Sequence, residues 1–413
     1  MLRILEYSQA QDLARRKAAR LAEAERVVAP ILEAVRTRGD AAVLEYARKF
    51  DGLDTAEVRI RREQLRAARE NLPGEFLSAV EVAARNIRDY AVSQLPCERF
   101  SEYSAGRMLG HIVRPLDSIG AYIPAGRYPL PSTLLMTAIP AQVAGVRRIA
   151  IMCPRPSVEI LGVCEILGLD GVYRIGGAQA IAALAYGTES IPRVDRIVGP
   201  GNIYVAAAKK LIAGEVGIDF VAGPTEIVII AAEADPAHIA ADLLAQAEHD
   251  VDASAILLTT SQPLAAAVAA AVDRQLESLP TAAVARAAIA RNSAAIIVQS
   301  LEQAVEFSNQ LAPEHLSLHD PSLLPLVRNA GSVFLGPFSP EAAGDYASGP
   351  NHVLPTSGAA RIRGGLSAAD FVKVISVQEL SPDALRALIP TVATLARAEG
   401  LEAHARSVEI RHA

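Results

Sequence analysis

The chain contains no tryptophan, and aromatic residues make up only 4% of its 413 residues. Single-stranded nucleic acid is bound on stacked aromatic side chains, so this scarcity argues against such a platform. Positive charge is not in excess either. Forty basic residues against 46 acidic ones give a formal net charge of −6, which provides no field for attracting a polyanion. The three cysteines, Cys97, Cys153 and Cys164, have no CxxC spacing and are too few for a disulfide framework, which fits a reducing cytoplasm. The longest apolar runs, around residues 265–272 and 227–232, fall far short of the roughly 20 residues that span a bilayer. The start, Met1-Leu-Arg-Ile-Leu-Glu6, lacks the basic opening and apolar core of a signal peptide. Gly-x-Gly-x-x-Gly occurs nowhere, so the residues alone do not license a standard dinucleotide-binding assignment. The expected partner is a small molecule, with neither nucleic acid nor membrane involved.

With 51% hydrophobic and 21% charged residues, the composition is globular, and the length exceeds what one hydrophobic core usually serves. From residue 10 to 50, and again from 62 to 95, apolar residues recur at three- and four-residue intervals, which predicts helices. In the first of these, Arg15-Arg16-Lys17 reads as a solvated face. From Ile119 onward short apolar strands alternate with helices. Strands are expected at 148–153, 172–175, 195–198, 227–231, 254–259, 294–298, 315–318 and 332–335. This alternation implies βαβ units and parallel sheets. Residues 382–413 read as a helix followed by an extended tail.

Several segments are dense in chemical side chains. Gly176-Gly-Ala-Gln179 and Gly199-Pro-Gly-Asn202 each follow a strand and open a helix, where free backbone N–H groups favour phosphate. For either loop alone an ordinary turn glycine is the commoner explanation, while two in succession within one α/β unit weigh evenly. Gly120-Ala-Tyr122-Ile-Pro-Ala-Gly126 carries a strand into a similar loop. Gln246 and His249, three residues apart on one helix face, suit half a metal or polar-substrate site, although a capping histidine is commoner. Glu314-His315 at a helix-to-strand junction suits proton transfer. Asp345 lies in a loop with Tyr346, Ser348, Asn351 and His352, a composition typical of binding loops. Glu399 and His404, near the terminus, read on their own as a surface helix. Cys153 and Cys164 look like packed thiols, leaving no obvious nucleophile for a thioester route.

Eight of these segments, in order, carry a resemblance: Gly120-Ala-Tyr-Ile-Pro, Ile175-Gly-Gly-Ala-Gln-Ala, Val198-Gly-Pro-Gly-Asn, Ala222-Gly-Pro-Thr-Glu, Gln246-Ala-Glu-His, Ala312-Pro-Glu-His, Gly344-Asp-Tyr-Ala-Ser-Gly and Asn351-His-Val-Leu-Pro-Thr. Together they resemble the histidinol dehydrogenase family over almost the whole chain. The resemblance implies an enzyme with one Zn2+ per subunit and NAD as oxidant, which takes L-histidinol through the aldehyde to L-histidine, the last step of histidine biosynthesis. It implies zinc ligands at Gln246, His249, Asp345 and His404 and NAD contacts at Tyr122, Gln179 and Asn202. Glu314 and His315 match the catalytic pair. Thr225, His315, Glu399 and the four ligands match substrate-holding positions. The family forms intertwined homodimers in which the tail with His404 completes the neighbour's site.

The fold so implied is α/β, with two incomplete Rossmann-like parallel-sheet domains. Residues 1–20 form an N-terminal helical segment, 21–121 with 226–370 a discontinuous domain carrying zinc and catalytic residues, 122–225 the NAD domain, and 371–413 a tail reaching the partner. Two positions depart from the family pattern. Thr225 stands where serine is usual, and Pro350 where threonine is. With Arg361 and Arg363 nearby as a handle for an anion, they leave open a paralogue acting on another polar alcohol, such as a sulfonated diol. A non-catalytic nucleotide-binding regulatory protein would show damaged chemical positions, and none is visible.

Overall fold

In the computed structural model, which describes residues 1–14, 19–124 and 128–412, chain order sets up three sheets. The first strand is β1 (Arg3–Glu6), and four helices follow: α1 (Ala19–Arg38), α2 (Asp40–Tyr46), α3 (Arg62–Glu70) and α4 (Gly74–Ser93). Next come β2 (Arg99–Ser104), β3 (Arg107–Pro115), β4 (Ser118–Tyr122), α5 (Pro131–Val143), β5 (Arg148–Met152), α6 (Val158–Ile166), β6 (Gly171–Tyr173) and α7 (Gly177–Tyr186). They lead to β7 (Arg196–Val198), α8 (Ile203–Ile212), β8 (Gly217–Ile218), β9 (Glu226–Ile230), α9 (Pro236–Ala247), β10 (Ser254–Thr259), α10 (Gln262–Leu276), α11 (Ala282–Asn292) and β11 (Ala294–Ile297). The remainder is α12 (Leu301–Leu311), β12 (His315–Leu318), β13 (Ser332–Leu335), α13 (Glu341–Tyr346), β14 (Val372–Leu380), α14 (Pro382–Ala398) and α15 (Glu402–Glu409).

A six-stranded parallel sheet has the order β1-β11-β10-β9-β12-β13, and a five-stranded parallel sheet the order β6-β5-β4-β7-β8. Their central strands are apolar on both faces, because each face is covered by helices. In the larger sheet Ile227, Ile229, Ala255 and Leu257 face one core with α9 to α11, while Val228, Ile230, Ile256 and Leu258 face another with α12. Every residue of β9 is buried. Each fully buried Leu or Ile contributes about 1.5–3 kcal/mol, so these two layers fix the strand register. The third sheet, β14-β3-β2, is antiparallel, largely exposed, and was not expected from the sequence.

The N-terminus and the domain grouping differ from the sequence expectation. Residues 3–6 form an edge strand of the six-stranded sheet instead of belonging to a helical segment, because Arg3–Glu6 pairs in parallel with Ala294–Ile297. Helices α1 to α4 were grouped with 226–370, but they cover the five-stranded sheet. Val28, Leu32, Val35 and Val43 share a core with Tyr122, Met152 and Ile197, and Leu65, Val80 and Ile87 pack with Ile119 and Ile151. Val353, Leu366 and Phe371 join that second core as well. The helix expected from residue 382 is α14, but the extended tail expected after it is instead helix α15, folded back on α14 around Ala393, Ala396 and Ala405, with Arg397 gripping Glu402 and Glu409. Arg15–Lys17 and Ala125–Gly126 lie outside the described residues.

Candidate active site

The five-stranded sheet starts at its middle strand β4, and the six-stranded sheet, after its edge strand β1, is resumed at the inner strand β9; each then builds outward to either side, so each has a switch point where connections diverge. In the five-stranded sheet this lies between β4 and β7, whose carboxyl ends carry Tyr122 and Gly199. Gly199, at φ 109°, packs so closely that a Cβ would overlap the Tyr122 carbonyl. In the six-stranded sheet it lies between β9 and β12. The Glu314–His315 pair and Thr225 stand at the amino ends of those strands, opposite to the end where open α/β sheets usually bind ligands. The link Asp219–Thr225 explains this. It runs directly from the carboxyl end of β8 to the amino end of β9, so one sheet's carboxyl edge faces the other's amino edge.

Local structure places each side chain. Helix α12 ends on Ala312, a non-glycine residue in the left-handed region (φ 51°, ψ 63°), and Pro313 then turns the chain into β12. Such a conformation costs an L-residue on the order of 1–2 kcal/mol, and strain of this kind gathers at functional sites. It delivers Glu314 and His315 into the interior at 7% and 3% exposure. Helix α9, capped at its start by Asp235, runs back toward the amino ends of the strands and sets Gln246 at 1% exposure in its last turn, with His249 just beyond. Helix α13 brings Asp345 across to them.

A connected polar network results. Thr225 Oγ1 donates to Glu314 Oε2, which also accepts from the Glu226 backbone N–H at 3.0 Å. Because that hydroxyl donates to a carboxylate, it accepts from Gln246 Nε2 at 2.6 Å. The amide orientation is thereby set, and Gln246 Oε1 is left buried with no hydrogen-bond partner. His315 Nδ1 lies 3.3 Å from the Glu226 carbonyl and 3.8 Å from Glu314 Oε2. His315 Nε2 is also buried without a hydrogen bond, 3.4 Å from Asp345 Oδ1, and the other Asp345 oxygen lies 3.9 Å from His249 Nε2. His352 supports the far side through Nδ1 to the Asp345 carbonyl (2.7 Å) and Nε2 to Thr133 Oγ1 (3.1 Å).

Electrostatics follow from this packing. Burial pushes Glu314 up to about 6 against the opposing pull of His315 and the Thr225 hydroxyl. Burial alone would lower His315, but Glu314 and Asp345 outweigh it and raise it to about 9. Asp345 is pushed up by burial, yet His315, His352 and His249 hold it below the usual carboxylate range. Glu341, buried at 3% exposure in the first turn of α13, is raised well above the ordinary value by desolvation. Sequence reasoning missed Glu341 and the structural part played by Glu226. A glutamate opening a short helix after proline reads as ordinary helix chemistry, and only burial distinguishes it.

Of the expected residues, the fold unites Thr225, Gln246, His249, Glu314, His315 and Asp345. Glu399 and His404 are exposed on the α14–α15 hairpin, which packs on β14, and no hydrogen bond or ion pair among the described residues joins them to this cluster. No group of three His, Cys, Asp or Glu side chains among the described residues can hold a metal. Gln246 Oε1, buried without a hydrogen-bond partner, and the His249–Asp345 pair are N and O donors of the kind that fit zinc, one short of the usual four.

The two glycine loops correct the expectation that they offer free N–H groups to phosphate. The Gly176 N–H and the Gln179 amide both donate to Asp51, and the Gly177 N–H donates to the Tyr122 hydroxyl. Asn202 caps its own helix, accepting from Tyr204 and Val205 N–H. A Cβ at Gly176 or Gly199 would meet the Pro154 ring or the Tyr122 carbonyl, and Asn202, Ile203 and Tyr204 are exposed at the start of α8. Arg363 is bound to Asp370 and the Asp219 carbonyl, while the exposed Arg361 gives one hydrogen bond to the Gln310 carbonyl. Cys97 is exposed, while Cys153 and Cys164 are buried in the five-stranded unit with thiols pushed up by burial, Cys153 to about 12.

The family model described as histidinol dehydrogenase matches residues 14–412. This chain belongs to that family. It is 49% identical over 399 residues to the histidinol dehydrogenase of Geobacillus kaustophilus, covering 94% of each chain. It is 48% identical over 395 residues to that of Bacillus anthracis, covering 94% of this chain and 92% of the relative. The crystal structure of histidinol dehydrogenase from Elizabethkingia anophelis superposes with a TM-score of 0.94 at 37% identity, covering 99% of this chain and 98% of that one. An acetylating aldehyde dehydrogenase from Geobacillus thermoglucosidasius, 14% identical with a TM-score of 0.50, shares the fold alone.

Proposed function

We propose that this member of the family oxidises L-histidinol through the aldehyde to L-histidine, with NAD as oxidant and zinc as resident metal. One observation carries the reading: the Gln246–Thr225–Glu314 relay meets His315 and Asp345 where the two sheets face each other. Zinc would be held by Gln246 Oε1, His249 and Asp345, with His404 of the partner subunit as the fourth ligand. When bound, zinc would fix the substrate's imidazole and amine, and NAD would accept the hydrides.

The chain's own residues carry the protons. His315 has its Nδ1 turned to the Glu226 carbonyl, which leaves Nε2 as the atom that takes the hydroxyl proton as the carbinol loses hydride. Its pKa of about 9 reflects the full negative charge on Asp345 and Glu314, and any cation on Asp345 lowers it toward the working range. Glu314, near 6 and held by Thr225, orients a water and takes its proton as the oxygen adds to the aldehyde. The hydrate anion so formed loses the second hydride to the oxidant, giving the carboxylic acid. No thiol is placed to form a thioester, and the burial of the pair keeps bulk water from the aldehyde. Thr225 keeps the hydroxyl this scheme needs. The reading as a sulfonated-diol enzyme loses one of its two handles, since Arg363 is paired with Asp370.

A His315→Ala variant tests the assignment. It should keep the wild-type fold and zinc content while kcat falls by about 10²–10⁴-fold, the range of a lost general base. Full activity in that variant contradicts it.

A further inference from the structure

At the carboxyl end of the five-stranded sheet, Tyr122 and Gln179 are both tied to one turn, which is held from behind by a residue outside both parallel sheets. Asp51 ends a five-residue π-helical turn, Ala47–Asp51, which closes on Gly52 at φ 69°. Single π turns of this kind are frequent at functional sites. Here the turn carries a carboxylate into the interior at 9% exposure. A single oxygen, Oδ2, accepts from both the Gly176 N–H and Gln179 Nε2, each at 3.0 Å. Gln179 is only 1% exposed, so its amide orientation is fixed by this partner. Gly176 cannot move toward a bulkier arrangement, because a Cβ there would run into the Pro154 ring. The next residue, Gly177, sits at φ 61° and donates its N–H to Tyr122, whose hydroxyl is thereby tied to the same turn at 3.2 Å.

A buried carboxylate is costly unless its hydrogen bonds hold it, and an apolar residue would fill the same space without that cost. What Asp51 does that an apolar residue would not is place the Gly176–Gly177 turn and the Gln179 amide in one arrangement. We infer that Asp51 is a positioning residue for the dinucleotide, setting the affinity for NAD through Gln179 and the Gly176–Gly177 turn while leaving the Glu314–His315 centre alone. This rests on the NAD reading given under Proposed function.

Both donors meet the same oxygen, so Asp51→Asn keeps an acceptor for each while losing the charge and the second acceptor oxygen, whereas Asp51→Ala removes both bonds. Calorimetric titration of NAD into the full-length protein without histidinol should show Asp51→Ala weakening binding by about tenfold, with Asp51→Asn within about threefold of wild type. Steady-state kinetics should place the same change in KM for NAD, with kcat and KM for histidinol within about twofold. Asp51→Ser, too short to reach both donors, repeats the test if the alanine variant does not fold. Wild-type NAD affinity in the alanine or serine variant overturns the inference. So does Asp51→Asn falling as far as Asp51→Ala, or an equal loss in KM for both substrates. Wild-type protein that binds no NAD overturns the inference together with the NAD reading; wild-type protein that binds NAD and turns over histidinol, with Asp51→Ala unchanged, overturns the inference alone.

Discussion

The Thr225 hydroxyl donates to Glu314 Oε2 while accepting from Gln246 Nε2, so one side chain couples the buried acid to a proposed zinc ligand. A hydrogen bond to a buried charged group is worth about 1.5–3 kcal/mol, so Thr225→Val should lower kcat/KM about 10- to 150-fold. Thr225→Ser keeps the hydroxyl and should stay within about threefold of wild type. Comparing kcat/KM for the two variants checks this.

His315 gives a pH signature in metal-free protein. Its folded value, about 9, lies above the ordinary 6.5, so the charged form stabilises the fold fully below pH 6.5, and that contribution is lost as pH rises through 9. Glu314, raised from 4.5 to about 6, favours the fold in its protonated form below pH 4.5, and this is lost as pH rises through 6. Asp345→Asn removes one of the charges that hold His315 up. NMR titration of the His315 ring should show a lower pKa in that variant, and an unchanged one would contradict the assigned cause.

Lys209 and Asp219 form a buried ion pair at 1% and 6% exposure, with Asp219 also accepting from the Gly199 and Phe220 N–H groups. Removing one member strands the other, which costs about 3–5 kcal/mol. Lys209→Met should lower the urea midpoint accordingly, and Lys209→Met with Asp219→Leu should not restore it, because two backbone donors then lose their acceptor. Urea unfolding curves of the two variants distinguish these outcomes.

Exposure of His404 and Glu399 on the tail hairpin fits sites completed between subunits. In that arrangement a His315→Ala chain paired with a His404→Ala chain has one site carrying both defects and one carrying neither. Random mixing should recover about a quarter of wild-type activity from two inactive parents. No recovery would place His404 in its own subunit's site.

The strands at 227–231 and 254–259 were legible because parallel strands covered on both faces read as unbroken apolar runs. The Gln246, Glu314 and Asp345 segments were legible because their polar residues interrupt that pattern. Arg3–Glu6 was not, since a four-residue edge strand has no periodicity to distinguish it from a helix start. Grouping α1–α4 with the wrong sheet has a similar cause: an amphipathic helix declares an apolar face but not what covers it. Asp51 was invisible because its meaning depends on Gly176, 125 residues later. The placement of Glu314 at the amino end of its strand followed from the Asp219–Thr225 link, a matter of topology that no local pattern encodes.

The most direct measurement counts NADH formed per histidinol consumed by zinc-loaded protein. The account predicts two NADH for each L-histidinol, with L-histidine as the product, because the same buried pair serves both the alcohol and the aldehyde oxidation. One NADH with free aldehyde released, or no turnover by protein that binds both zinc and NAD, would contradict it.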